Sequence, residues 1–237
     1  MNSTKDAVVV WESPMLRYLV KRYVPPSVVN SLLLMVPSLY PGLRYESQLS
    51  EEQRTVLIEL LGKGIPGNVI ECGVYRGGTT VLMALYLKKE GSRRKKIYAL
   101  DSFMSFPTDE VNGEIGRGLV PEQGRTAFTS TSSDYVQRKV DRLGLHDMIE
   151  IVPGYFEDTL DTIKDSFCLA LIDCDLEKSV EYCLTTLWDR VIKGGHIVVD
   201  DYTNPGYPGA RIAADRFLSN VNYTQRYVCH GLLVIEK

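Results

Sequence analysis

The feature that most constrains the fold of this chain is the alternation of short apolar runs with helical patterns after residue 67. Short, mostly apolar runs are typical of strands that are covered on both faces. Helical periodicity separates most of these runs, and this alternation indicates a parallel, doubly wound α/β sheet. The runs lie at 69–72, 97–100, 149–152, 168–172 and 197–199.

The two ends of the chain depart from this pattern. Residues 226–229 and 232–236 flank His230-Gly231 like the two arms of a hairpin, so we expect the sheet to end in an antiparallel strand. Residues 1–48 contain five prolines, which interrupt any long helix. We therefore expect residues 1–48 to form an N-terminal appendage that caps a single domain spanning residues 49–237.

The stretch 102–131 shows no sustained helical or strand period. A connection of this length inside a compact domain is usually functional or disordered. It follows the second apolar run, on the side of the sheet where ligands bind in doubly wound folds. We predict that residues 102–131 form a lid over a ligand site.

Composition limits the classes of partner. The net charge of -3 gives no reason to expect a nucleic acid. No signal peptide pattern is present, and the most apolar early stretch, 28–36, is far shorter than the ~20 residues that span a bilayer. The five cysteines form no C-x-x-C pair, which favours reduced thiols. We expect a cytoplasmic protein with no membrane partner.

A glycine-rich turn follows the first apolar run, with the spacing E-x-G-x-x-x-G-G from Glu71 to Gly78. Glycines allow a sharp turn and a close approach to a ligand, and the following helix offers free N–H groups. The spacing differs from the G-x-G-x-x-G of a dinucleotide site. An acidic residue here would repel a pyrophosphate but suit the sulfonium and ammonium groups of S-adenosylmethionine. An ordinary strand-to-helix turn is the alternative.

Acidic residues also end three later runs. Asp101 ends the second run, where a carboxylate commonly binds the ribose hydroxyls of an adenosine ligand. Asp173 and Asp175 end the fourth run, and Asp200 and Asp201 end the fifth, so a parallel sheet would place all four along one edge. Clustered carboxylates raise one another's pKa values unless a cation intervenes, and Mg²⁺ prefers oxygen ligands. The alternative is that these side chains cap helices.

With these residues in view, the chain resembles the macrocin O-methyltransferase family, which is grouped with the novobiocin-type sugar methyltransferases. The resemblance runs from about residue 65 to 220. It rests on IPGNVIECGVYRGG at 65–78, DSF at 101–103, GYFEDTL at 154–160, LIDCD at 171–175, DDY at 200–202 and PGAR at 208–211.

The resemblance implies a class I S-adenosylmethionine-dependent methyltransferase fold with a seven-stranded, mainly parallel sheet. It also implies that Asp173, Asp200 and Asp201 bind Mg²⁺ and that Asp175 is the general base. The chain departs from the family at Glu177, where a Tyr is usual, and an acid there would change which acceptor is taken. The residues expected to bind S-adenosylmethionine are Glu71, Gly73, Tyr75, Thr79, Asp101, Ser102, Gly154, Phe156 and Asp173.

The sequence thus predicts an S-adenosylmethionine- and Mg²⁺-dependent O-methyltransferase that acts on a small molecule, above all on a sugar of a glycosylated natural product. A catechol-like phenol is the alternative acceptor. Outside this class, a D-x-D metal-dependent phosphatase or glycosyltransferase and a non-catalytic partner subunit remain open. A nicotinamide dehydrogenase is disfavoured because the G-x-G-x-x-G motif is missing. We expect a homo-oligomer, since twofold assemblies are common.

Overall fold

The structure, a computed structural model, describes residues 46–92 and 94–237. The predicted N-terminal appendage therefore lies outside the described residues, except for residues 46–48. Within the described ranges, every helix falls short of the length and apolarity that a bilayer-spanning helix requires.

The described residues form one seven-stranded sheet with the order β3-β2-β1-β4-β5-β7-β6. Strands β1 to β5 are parallel, and β7 runs antiparallel to both of its neighbours, β5 and β6. The predicted α/β sheet with an antiparallel strand at its end is confirmed. The strands are β1 (Asn68–Cys72), β2 (Ile97–Asp101), β3 (Ile149–Pro153), β4 (Phe167–Ile172), β5 (Val191–Val199), β6 (Gln225–Cys229) and β7 (Leu232–Glu236).

Helices cover both faces of the sheet. The first begins after its N-cap, Ser50, whose side chain accepts a hydrogen bond from the backbone N–H of Gln53. The helices are α1 (Glu51–Gly62), α2 (Gly78–Lys89), α3 (Thr108–Gly116), α4 (Ser133–Arg142), α5 (Phe156–Thr159), α6 (Glu177–Trp188) and α7 (Pro208–Leu218), with 3₁₀ turns at Glu122–Thr126 and Leu160–Thr162.

Alternate strand residues enter two hydrophobic cores, one on each face of the sheet. In β1, Ile70 packs in the core that holds Val180 and Leu184 of α6. Its neighbour Val69 packs in the opposite core, together with Val81 of α2. Because β1 is covered on both faces, its sequence is apolar apart from Asn68 at its start and Glu71.

Two local features differ from the sequence pattern. Val191 continues the helical period of α6, but the helix ends at Trp188 and Val191 begins β5. Gly194, at φ +77°, lets β5 begin there with an irregular register against β4. The stretch 102–131 is not loop throughout, because it contains α3, whose buried residues include two glutamates that a hydrophobic pattern does not detect.

The register brings the carboxyl ends of the central strands to one edge of the sheet. Cys72 of β1 pairs with Leu100 of β2 and with Ile172 of β4, and Ile172 pairs with Val199 of β5. The residue that follows each of these strand positions therefore faces the same space. This alignment gathers the predicted site residues.

Candidate active site

A cavity of about 310 Å³ lies at this edge of the sheet. All of the predicted site residues line it, although they come from the ends of five strands and the segments that follow them. They are Glu71, Gly73, Tyr75, Thr79, Asp101, Ser102, Gly154, Phe156, Asp173, Asp175, Asp200 and Asp201.

The turn after β1 is held in place by close backbone contact. Gly73 has φ +96°, and a Cβ built there would lie 1.8 Å from the carbonyl oxygen of Asp173. Gly78 begins α2, and a Cβ there would lie 2.3 Å from the backbone nitrogen of Ser47. A side chain is therefore excluded at both positions. Backbone at the end of β4 leaves no room for a Cβ at Gly73, and the segment that precedes α1 leaves none at Gly78.

Asp101 anchors the same turn. Its Oδ2 accepts hydrogen bonds from the backbone N–H groups of Val74 (2.8 Å) and Tyr75 (2.7 Å). Its Oδ1 accepts from the N–H of Phe103 at 2.7 Å. The carboxylate thus fixes the glycine-rich turn, and it keeps further lone pairs for a ligand.

Glu71 is an acid held inside the protein. Its side chain is almost fully buried, and the Thr80 hydroxyl donates a hydrogen bond to it. Burial raises the pKa of Glu71 to about 8, and the hydrogen bond from Thr80 only partly opposes this effect. A buried acid of this kind becomes a stable carboxylate when a cation arrives beside it.

The other four carboxylates stand in two close pairs, Asp173 with Asp200 and Asp175 with Asp201. Burial and the neighbouring acids raise the pKa values of Asp173 and Asp175 well above their usual range, and that of Asp200 to about 6. Asp175 and Asp201 also adopt left-handed backbone conformations, with φ +63° and +57°. Backbone strain of this kind concentrates at functional sites.

Two carboxamides orient the second member of each pair. Gln53 Nε2 donates a hydrogen bond of 2.8 Å to Asp200 Oδ1, while its Oε1 accepts from the Ser50 backbone N–H. Asn204 Nδ2 donates a hydrogen bond of 2.8 Å to Asp201 Oδ1. Sequence analysis missed both residues. Asn204 follows the DDY motif closely, but nothing local connects Gln53 with Asp200.

The donor set is that of a hard divalent cation, since four carboxylates surround the ends of β4 and β5. The arrangement is nevertheless pairwise: among the described residues, no three or more Asp, Glu, His or Cys side chains are placed to hold a metal ion together. A cation would therefore have to displace protons from the acids whose pKa values are raised.

The segment just before α1 also borders the cavity and was not predicted to do so. The Ser47 hydroxyl lies 2.7 Å from that of Thr79. Glu46 is buried, forms an ion pair with the buried Lys139 of α4, and accepts a hydrogen bond from the Tyr135 hydroxyl. These contacts fasten residues 46–48 over the start of α2.

Helix α3, within the predicted lid, is attached to the start of α6. Glu110 accepts hydrogen bonds from the backbone N–H (2.6 Å) and the hydroxyl (2.8 Å) of Ser179, and Glu114 accepts from the backbone N–H of Glu177. These carboxylates satisfy N–H groups of the first turn of α6, directly after Asp175. Helix α3 is therefore fastened to the start of α6, and Ser102, Ser105, Phe106, Pro107 and Phe128 of the stretch 102–131 line the cavity. That this stretch acts as a lid stays a prediction.

Glu177 does not line the described cavity. Its carboxylate forms ion pairs with Arg117 Nη1 at 2.7 Å and with Arg216 Nη2 at 2.6 Å. These two partners lower its pKa despite burial. The acid that replaces the usual Tyr thus joins the end of α3 to α7.

The model of the macrocin O-methyltransferase family (TylF) matches residues 46–227, which include the whole of this cavity. The chain belongs to this family. It is 32% identical over 154 residues to demethyldecarbamoylnovobiocin O-methyltransferase of Streptomyces niveus, a match that covers 64% of this chain and 59% of the relative. It is 28% identical over 179 residues to the 8-demethyl-8-(2,3-dimethoxy-alpha-L-rhamnosyl)-tetracenomycin-C 4'-O-methyltransferase of Streptomyces olivaceus, covering 75% and 64%.

The solved structure of the O-methyltransferase NovP superimposes with a TM-score of 0.67 at 27% identity, covering 78% of this chain and 77% of that one. The fold is thus that of the class I methyltransferases. The chain spans about three fifths of the length of the curated relatives it matches.

Proposed function

We propose that this protein is an S-adenosylmethionine-dependent O-methyltransferase that methylates a hydroxyl group of a sugar on a glycosylated natural product. One observation carries the proposal. Seven Asp and Glu residues line the cavity, and no Lys, Arg or His is among the described residues that do. Such a cavity selects cationic occupants, and the named activities of the relatives point to methyl transfer.

The described residues have distinct roles in this proposal. S-adenosylmethionine supplies an electrophilic methyl group on a sulfonium. Glu71 binds its ammonium group, and the turn at Gly73 admits the ligand against the backbone. Asp101 and Ser102 face its ribose, and Gly154 and Phe156 border its adenine. Tyr75, Thr79 and Asp173 complete the wall.

The carboxylates at the ends of β4 and β5 prepare the acceptor. Asp173, Asp200 and Asp201 would hold Mg²⁺, which when bound supplies a Lewis acid that lowers the pKa of a coordinated hydroxyl. Asp175, held by Asp201, accepts the proton that the acceptor hydroxyl loses. Helix α3 and the turns around it exclude water during transfer.

Affinity for S-adenosylmethionine is expected to rise between pH 6.0 and 7.5, by up to about tenfold per pH unit. The raised pKa of about 8 keeps Glu71 protonated in this range, whereas a cationic ligand requires its carboxylate. Binding must therefore release a proton, and the release becomes easier as the pH rises. Calorimetry in buffers of different ionisation enthalpy measures both the affinity and the proton release.

The Glu71→Gln variant is the control for this prediction. It should bind more weakly at pH 7.5 and lose both the proton release and most of the pH dependence. The role assigned to Glu71 is wrong if the variant keeps the wild-type pH dependence.

Gln53→Met is expected to weaken Mn²⁺ or Mg²⁺ binding by about 10- to 100-fold, because residues that orient metal ligands have effects of this size. The variant removes the hydrogen bond to Asp200 and also weakens the cap of α1. Ser50→Ala is the matched control, since it weakens the same cap without touching Asp200. Equal metal affinity in the two variants, measured by calorimetry, would exclude a role for Gln53 in orienting Asp200.

The proposed function is tested first by titrating S-adenosylmethionine and S-adenosylhomocysteine into the purified protein, with Mg²⁺ and then with a chelator. We expect micromolar binding of both ligands. Absence of binding under both conditions would refute the methyltransferase proposal. Loss of methyl transfer, with retained cofactor binding, in the chelator would assign the metal to the acceptor.

A further inference from the structure

In the part of the chain that the structure describes, α6 and α7 both begin without a side-chain cap of their own. The residue before α6 is Leu176 and the residue before α7 is Tyr207, and neither side chain accepts a hydrogen bond from its helix. Serine, threonine, aspartate and asparagine are usual there, because they satisfy a free N–H of the first turn. Asp173 and Asp175, which precede Leu176, line the cavity instead. The first turn of α6 therefore needs partners from another element.

Two glutamates of α3 are these partners. Glu110 accepts hydrogen bonds from the backbone N–H and the hydroxyl of Ser179, and Glu114 accepts one from the backbone N–H of Glu177. Both glutamates are buried, and burial raises the pKa of each carboxyl group. Burial of two acids is costly unless hydrogen bonds such as these compensate for it. The buried face of α3 is therefore suited to bind the start of α6.

Apolar contacts join α3 to both helix starts. Val111 of α3 packs in a small hydrophobic core with Val120 and Leu176, and Tyr207 packs against the same core. The two positions where a polar capping residue is usual thus hold apolar or aromatic side chains that rest on α3.

The starts of α6 and α7 meet at Gly209, the second residue of α7. A Cβ built at Gly209 would lie 2.7 Å from the backbone nitrogen of Glu177 and 2.9 Å from Glu114 Oε2. The Oε1 atom of the same carboxylate accepts the hydrogen bond from α6. One carboxylate of α3 therefore lies against both helices and fixes their spacing.

Both helices follow strained residues of the acidic site. Asp175, with φ +63°, stands two residues before α6, and Asp201, with φ +57°, lies between β5 and α7. The backbone N–H of Tyr207 donates a hydrogen bond of 3.3 Å to the carbonyl of Asn204, whose side chain orients Asp201. Strained conformations persist only where the surrounding structure holds them. The fixed starts of α6 and α7 are part of that surrounding structure.

We propose that Glu110 and Glu114 are positioning residues of the active site. They cap α6 from α3 and fix α7 beside it, which holds Asp175 and Asp201 in place at the cavity. This inference rests on the proposed function, in which Asp201 binds the metal and Asp175 accepts the proton. Neither glutamate is among the described residues that line the cavity, so both act through these two acids.

The test measures Mn²⁺ binding to the whole protein by electron paramagnetic resonance, in the presence of S-adenosylhomocysteine. The double variant Glu110→Ala/Glu114→Ala should bind Mn²⁺ at least about tenfold more weakly than the wild type, as is typical when residues that orient metal ligands are lost. Its affinity for S-adenosylhomocysteine, measured by calorimetry, should stay within about twofold, because both glutamates bind α6 and not the glycine-rich turn.

Three further variants separate positioning from stability. Glu110→Gln keeps an oxygen that accepts from the Ser179 N–H and should retain wild-type Mn²⁺ affinity. Val111→Ala loosens the apolar packing of α3 but keeps both carboxylates, so it should lower the unfolding temperature and leave Mn²⁺ affinity unchanged. If the double variant does not fold, Glu114→Ala alone carries the test and should weaken Mn²⁺ binding severalfold.

The remaining outcomes overturn the inference. They are wild-type Mn²⁺ affinity in the folded carboxylate-removing variant, and an equal loss of affinity in Val111→Ala or Glu110→Gln. Wild-type protein that binds S-adenosylhomocysteine but no Mn²⁺ also overturns it, while methyl transfer as the proposed function survives. If the wild-type protein does not bind S-adenosylhomocysteine, the proposed function fails and the inference fails with it.

Discussion

Asp175→Asn is expected to lower the rate of methyl transfer by about 10²- to 10⁴-fold while leaving the affinity for S-adenosylmethionine nearly unchanged. The amide is close in size to the carboxylate and still forms a hydrogen bond with Asp201. It cannot accept the proton of the acceptor hydroxyl. The loss should therefore appear in kcat, measured as release of S-adenosylhomocysteine with the glycoside on which the wild-type protein is most active.

The raised pKa of Asp175 is part of this argument. Burial and the charge of Asp201 shift it upward from the usual carboxyl range, which makes the ionised form a stronger base. Asp189→Asn, at the exposed end of α6, is the matched control and should retain wild-type activity. A rate within a few-fold of wild type for Asp175→Asn would mean that another group takes the proton.

Gly73→Ala is expected to destabilise the protein by about 3–5 kcal/mol and to abolish binding of S-adenosylmethionine. The new Cβ would meet the Asp173 carbonyl oxygen at 1.8 Å. That oxygen belongs to the backbone at the end of β4 and cannot rotate away as a side chain would. Strands β1 and β4 must separate, which moves Asp173 and the glycine-rich turn together. Thermal unfolding should show a fall of roughly 10 °C in Tm.

Strain at Gly73→Ala has two causes, the positive φ of the backbone and the clash of the new Cβ with Asp173. The variant Gly91→Ala separates them. Gly91 has φ +74°, but a Cβ there meets nothing within 4 Å. Its replacement should cost only about 1 kcal/mol, the price of a left-handed alanine. If the two variants unfold at the same temperature, the close approach of β1 and β4 does not control stability.

The site residues that sequence analysis found share one property. Each lies at the carboxyl end of a strand, in the turn after it or at the start of the helix that follows, and the carboxyl ends of parallel strands meet at one edge. Asp173 and Asp200 are 27 positions apart in sequence, yet β4 and β5 pair so that Ile172 lies beside Val199. The apolar runs predict the strands, and their alternation with helical patterns predicts that the strands are parallel. These two predictions together place the acids at one edge of the sheet.

The residues that sequence analysis missed lie on helices away from the strand ends. Their local sequence carries no signal of the contacts that they make in the folded protein. In the sequence, Gln53 has the pattern of an ordinary helix-capping residue. Its hydrogen bond to Asp200 joins residues that are 147 positions apart. Glu110 and Glu114 look like solvated residues of a polar helix until α3 packs on α6. Hydrophobic periodicity carries no information about buried polar contacts, so such pairs emerge only in three dimensions.

Glu177 illustrates the same division. The sequence places an acid where the family usually has Tyr, but the direction of its side chain depends on Arg117, at the end of α3, and on Arg216 of α7. The aromatic residues Tyr75, Phe106, Phe128 and Tyr207, which line the cavity, likewise come from four separate segments of the chain. The sequence by itself determined the sheet and the acidic edge, because strand patterns and parallel pairing are local and general. Only the tertiary structure decided the walls of the cavity, because they arise where distant segments pack together.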